Sequence, residues 1–424
     1  MSTGSSLAAT TRSAERLPAR VVFLIALAIY GQEVVWNFYD AQVPVELRRY
    51  IGSAAVIGLV MGLDNVLGVV IQPWMGLVSD RRVRRRGGRL VYVVVGAPLA
   101  AIPFALMPHA PNLIALVVCI VLFAGIANAY KPVNESLLAD YVTPGLRARA
   151  NGFVKLGTAL TVATSAVISI VLVDDHPDLA FVVPPVLMVL VLWAAAAGLR
   201  SQQRWDQVDQ GRGTEVESTR SPSIRALYAD LLTRAGRPWL LLVVGIIGFN
   251  GVWQALRALF TIYGVEVLDV TRGQAGGIAL IGAAAFILAA VPISRLSRRY
   301  GCIGMIRRGL MTFIVGMIVG GISTSLPVAV LGFSIAAVGF ACFAINAVIA
   351  LWELAPEPGL TGVYTGLYAV AYTVGAASGP AVLGLVVDLT SWRLMMPGAA
   401  LLACLVLLVY LRLERHPAVR GMES

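Results

Sequence analysis

The residues best placed to do chemistry lie on two apolar stretches. Tyr30, Glu33, Asn37 and Asp40 follow one another at spacings of three, four and three, so they share one face of a helix. Asn250, Trp253, Gln254 and Arg257 form a similar face further along. A carboxylate or guanidinium turned towards lipid costs several kcal/mol, so both faces are expected to line a water-filled cavity. Glu33, near mid-helix, is the first candidate for a group that takes up and releases a proton, and Asp64 is the second, with local hydrogen bonding to Asn65 as its alternative role. Asp40 and Arg257 are expected to meet when an outer gate closes; the alternative places Asp40 in the interface and lets Arg257 snorkel outwards.

Other polar residues interrupt apolar runs. Asn128, Lys131 and Glu135 share a face, and Lys131 is expected to pair with Glu135 or Asp140 near the cytosol. Lys155 is expected to face the cavity. Asp80 and Arg81, beside a run of arginines, suit a gate whose ion pairs break and re-form, and Glu353 is expected opposite Asp140 in it. Tyr364, Tyr368 and Tyr372 recur every four residues, and Trp36 and Trp253 flank the polar faces. Rings with amide and carboxylate groups suit a polyhydroxylated ligand or an amphipathic one; packing alone also accounts for such a stripe.

The elements holding these residues follow from composition. The chain has 424 residues, 58% hydrophobic and 13% charged, with a mean hydropathy of +0.80. Too few polar groups exist to cover a soluble protein of this size. At about 20 residues per crossing, the apolar segments make an all-α membrane protein of twelve transmembrane helices. Residues 20–199 form the first six-helix bundle and 239–412 the second. A Gln-, Gly- and Ser-containing stretch, 200–238, reads as a cytosolic linker, and 1–19 and 413–424 as cytosolic tails. Of 31 arginines, 26 fall on the side of the tails and four on the other, which sets both termini in the cytoplasm of a plasma (inner) membrane.

The halves resemble each other. Val35-Trp36-Asn37 matches Val252-Trp253-Gln254, Pro73 matches Pro292, and Pro144-Gly145-Leu146 matches Pro358-Gly359-Leu360, at offsets of 214 to 219. This is the pattern of two parallel repeats, hence two pseudo-symmetric bundles. Cys119, Cys302, Cys342 and Cys404 show no ligand spacing, and no cofactor or metal is expected. The net charge of +10 is concentrated in loops, which excludes a nucleic-acid surface; lipids, a small solute and a coupling cation are the expected partners of a monomer. No Gly-x-x-x-x-Gly-Lys-Ser/Thr loop is present, so an ATP-driven pump is not expected, and the chain is not read as an enzyme.

Gly76, Asp80 and Arg81, followed by Arg84, Arg85, Arg86, Gly87, Gly88 and Arg89, resemble the helix 2–3 signature of the major facilitator superfamily. Gln72-Pro73, the run Leu138-Ala139-Asp140 with Thr143, Pro144, Arg147, Ala150 and Asn151, and Gly362 to Tyr368 with Gly379-Pro380 resemble its glycoside–pentoside–hexuronide and sucrose-transporter-like branch. The resemblance implies alternating access and cation-coupled uptake of a sugar or glycoside, with Gln72 in the site and Arg147 in the gate. The branch's paired helix 2 aspartates are Gly68 and Gln72 here, which favours protons over sodium. Proton-driven efflux of a hydrophobic compound is the alternative, and a non-transporting receptor a third reading.

Overall fold

The computed structural model describes residues 17–86, 88–202, 237–354 and 361–416. The expected tails, most of the linker and the Pro358 repeat element lie outside the described residues. Twelve helices are long and apolar enough to cross a membrane. In chain order they are α1 (Ala19–Arg48), α2 (Ala54–Arg86), α3 (Leu90–Leu106), α4 (Leu113–Tyr141), α5 (Pro144–Leu172) and α6 (Pro177–Arg200). The second six are α7 (Arg237–Val267), α8 (Arg272–Tyr300), α9 (Cys302–Gly321), α10 (Leu326–Glu353), α11 (Thr361–Leu389) and α12 (Met395–Glu414). Only helices satisfy every backbone group within one segment in hydrocarbon, so an apolar run of this length has no other stable form. The side on which α1 begins and α12 ends is called the near face below, and the opposite side the far face.

Turn chemistry sets several boundaries. The Asn112 side chain accepts from Ala115 N at 2.9 Å and starts α4. Thr271 and Gln274 form a capping box that starts α8. Gly301, at φ 68°, makes the tight turn from α8 to α9 that a side chain would strain.

Packing within the two halves follows one plan. In the first, α1 packs on α5 and α6, α3 on α4 and α6, and α2 on α4. In the second, α7 packs on α11 and α12, α9 on α10 and α12, and α8 on α10. The pattern is identical after a shift of six helices. Between halves, α2 packs on α11, α5 on α8 and α1 on α7. Each bundle buries an aromatic core: Phe38, Phe104, Phe123 and Phe181 in the first, Phe249, Phe313, Phe340 and Phe343 in the second. Phe23, Val70, Ile114, Leu288 and Leu389 remain exposed on the circumference, where only a bilayer would cover them.

Candidate functional site

The polar face of α1 meets that of α7 at the bundle interface. Arg257 Nη2 lies 3.0 Å from Asp40 Oδ2 and 3.3 Å from Asn37 Oδ1. Arg257 Nη1 lies 3.4 Å from Gln254 Oε1. Asn37 also donates to Thr161 of α5 at 2.8 Å, which fixes its amide so that the oxygen faces Arg257. Both partners of the ion pair are about one-third exposed, so water reaches them.

Asn37, Asp40 and Arg257 edge a cavity of about 520 Å³ shared by α1, α5, α7, α8 and α10. Its walls are predominantly Ala, Val, Ile and Phe, with Trp253 among them. Lys155 lines it from α5 and is exposed. Trp253 is packed face-on against Phe340, 4.6 Å between rings and 11° between planes, so that face is already occupied. Another cavity, of about 640 Å³, lies between α1 and α5 and is lined by Val22, Phe23, Tyr30, Phe153 and Thr164 among others, and a much smaller one of about 30 Å³ lies between Asp40, Asp64, Asn65, Gln254 and Arg257.

Glu33 sits one helical turn from Asn37 towards the near face. Its carboxylate accepts from Gln32 at 3.0 Å and lies 3.8 Å from Lys131 Nζ. Lys131 also stands 5.9 Å from the centre of the Trp36 ring. The expectation that Lys131 pairs with Glu135 or Asp140 is therefore corrected. Residue 131 lies nearly three turns before the end of α4, on the side facing α1, so Glu33 is the nearer carboxylate; Glu135 is exposed.

Asp140 is instead bridged by Arg89, which reaches its carboxylate at 3.0 Å and Asp80 at 3.0 Å. Arg89 is largely buried and also donates to Ser136 at 2.8 Å. Spacing alone does not reveal which of the six loop arginines turns back into the bundle. Arg81 is exposed and makes no ion pair among the described residues. Arg147 donates to the carbonyls of Ala139 and Val142, holding the end of α4. Glu353 lies against Cys302 of α9, with Sγ at 3.4 Å.

One further expectation is corrected. Asn250 is fully buried and donates to Tyr372 O at 2.6 Å, tying α7 to α11 instead of lining the cavity. Gln72 donates to Asn128 at 2.6 Å and is used in α2–α4 packing. Asp64 accepts from Asn65 at 2.7 Å and faces the small cavity. In the tyrosine stripe, Tyr364 stacks on Trp239 at 4.1 Å, whereas Tyr368 is half-buried beside Tyr372 at 5.8 Å.

Towards the far face, ion pairs continue the interface. Arg48 of α1 meets Glu266 of α7 at 2.9 Å. Arg272 of α8 reaches Glu46 at 2.6 Å and Gln42 at 2.7 Å on α1. Glu46 is buried, so its charge is compensated across the bundles.

With this geometry in hand, comparison with known proteins adds the following. The profile described as Major Facilitator Superfamily matches residues 21–358 and 268–421. A search of curated protein sequences finds no match. Among solved structures, the chain is similar to a bacterial homologue of the human lysosomal transporter Spinster, in an inward-facing and unoccupied conformation. That match has a TM-score of 0.75 and 15% identity, covering 94% of this chain and 98% of that one. It is also similar to the peptide transporter POT in complex with sulfate (TM-score 0.70, 15% identity, 96% of each chain). A variant of the nucleoside transporter NupG matches with a TM-score of 0.72 and 11% identity, over 93% of this chain and 99% of that one. At these identities the likeness is one of fold.

Proposed function

The chain belongs to the major facilitator superfamily and is a membrane transporter; we propose that it exports an amphipathic, largely apolar compound from the cytosol in exchange for protons. The near face is taken as cytosolic on the arginine bias, in a plasma (inner) membrane, and the carrier as a monomer. The observation that carries the substrate reading is the wall of the 520 Å³ cavity, where apolar side chains dominate. A sugar presents hydroxyls all round and would leave many of them unpaired there, at a cost of about 1–3 kcal/mol each. Lys155 and the Arg257–Asp40 pair serve the polar head.

Coupling is assigned to Glu33. With its proton off, the carboxylate holds Lys131; with its proton on, that attraction ends and the Lys131 side chain is released. The same proton state cannot favour both arrangements, and this exclusion is what links ion movement to solute movement.

Uptake of a glycoside is the second reading, supported by the helix 2 and helix 11 motifs and by Tyr368, half-buried beside Tyr372. A thermal-shift screen of purified protein against sugars, lipophilic cations and lipophilic acids separates the two readings, since a ligand that prefers the native state raises its melting point. Stabilisation by lipophilic compounds is expected. Stabilisation by sugars alone would reverse the order of the two.

A further inference from the structure

Two aspartates outside the cavity occupy equivalent places in the two repeats. Asp174 follows the end of α5, and Asp388 stands at the end of α11, 214 residues later, the same offset that relates Pro144 to Pro358. Each reaches across to the opposite bundle. Asp388 accepts from the Ser53 hydroxyl at 2.5 Å, from Ala54 N at 2.7 Å and from Ala55 N at 3.0 Å, at the start of α2. Asp174 accepts from the Thr271 hydroxyl at 2.6 Å and from Gly273 N at 2.9 Å, at the start of α8.

The match extends to the third partner. Ser53 Oγ accepts from Val56 N at 3.2 Å, and Thr271 Oγ1 accepts from Gln274 N at 3.2 Å. Ser53 and Thr271, Ala55 and Gly273, and Val56 and Gln274 are all 218 residues apart. In both repeats a hydroxyl caps its own helix and at the same time donates to a carboxylate from the other bundle. The aspartate adds its charge to the positive end of the helix.

We propose that Asp174 and Asp388 are matched latches that hold the far face shut, and that both must release before it opens. They sit at the two crossings, α5–α8 and α2–α11, where the bundles pack on each other besides α1–α7. Neither latch lies in the cavity, so they regulate access without touching solute. A single latch would let one crossing splay while the other acted as a hinge. Two make opening a concerted movement. The proposal rests on the alternating-access reading above.

The test is a distance measurement on the full-length protein. Spin labels go on Pro111→Cys and Thr324→Cys, exposed positions in the α3–α4 and α9–α10 loops, after the four native cysteines are replaced. Each of Asp174→Asn and Asp388→Asn should raise the ratio of far-open to far-closed molecules roughly tenfold, and the double variant roughly a hundredfold, the scale of a lost charged hydrogen-bond set. Asp175→Asn, the same charge change on the exposed neighbour, should leave the distances unmoved. Should the double variant fail to fold, Ser53→Ala and Thr271→Ala keep both carboxylates and should each give a smaller shift in the same direction.

Unmoved distances in folded latch variants, or an equal shift in Asp175→Asn, would overturn the latch. The measurement needs no solute. Distances that respond in a protein transporting none of the screened compounds would reject the proposed substrate class and leave the latch standing, whereas unmoved distances with intact transport reject the latch alone.

Discussion

Arg257 on α7 holds Asp40 on α1 at 3.0 Å, in a contact that joins the two bundles beside the 520 Å³ cavity and the 30 Å³ one. Each residue is the other's nearest opposite charge, and each is partly wet. The attraction is therefore smaller than a dry pair would give, but losing one partner leaves the other without compensation in the middle of the membrane.

A charge swap tests that relationship. Asp40→Arg and Arg257→Asp alone should each lower transport about tenfold or more, and the two together should recover a substantial part of it. Uptake into proteoliposomes is the measurement. A double swap no better than either single one would mean that the pair has no role in gating.

Glu33→Gln should abolish proton-driven accumulation while sparing solute exchange at equal concentrations on both sides. Glutamine keeps the size and hydrogen-bonding groups of the side chain but carries no exchangeable acid proton, and it no longer attracts Lys131. Counterflow and gradient-driven uptake, measured side by side, decide it. Full accumulation by the variant removes Glu33 from coupling.

Arg89→Ala should destabilise the first bundle by about 2–4 kcal/mol, since it removes the guanidinium that bridges buried Asp140 to the exposed Asp80. Arg89→Lys should recover only part of this, because a single ammonium cannot match the forked geometry of the guanidinium. Melting temperatures in detergent provide the readout. The same losses for Arg81→Ala would contradict the placement of Arg89 as the bridge.

Gly62→Val should block close packing of α2 on α11. A Cβ at position 62 would overlap the backbone carbonyl of Ala377, and a backbone atom cannot step aside as a side chain can. The far face should then stay ajar, with transport lost more than tenfold, at a stability cost of about 1–3 kcal/mol. Labelling of an Ala41→Cys cavity residue by a membrane-impermeant reagent added on the far side should accelerate in parallel, in a background without the native cysteines; an unchanged labelling rate would show that the crossing has slack.

The architecture was legible because it follows from quantities summed over many residues. Apolar length set the helices, and the repeat offsets set the two halves. The faces of α1 and α7 could be read from spacing because helical periodicity alone decides them. Partners could not be read. Lys131 was placed with carboxylates on its own helix or near it, because the adjacency of α4 to α1 is a tertiary fact. Asn250 and Gln254 are four residues apart on one face, yet α11 lies close enough to bury the first and leaves the second at the small cavity. Arg89 was hidden among arginines of identical type, distinguished only by which of them folds back onto the bundle.

A cavity needs roughly 10–15 Å³ to hold one water molecule, and the one between Asp64, Asp40 and Arg257, at about 30 Å³, has room for more than one. Any compound of the kind the 520 Å³ cavity admits is too bulky to pass through it. The protein thus has separate size limits for cargo and for solvent at its centre line, so a plug against leakage of the cargo need not be a plug against hydration.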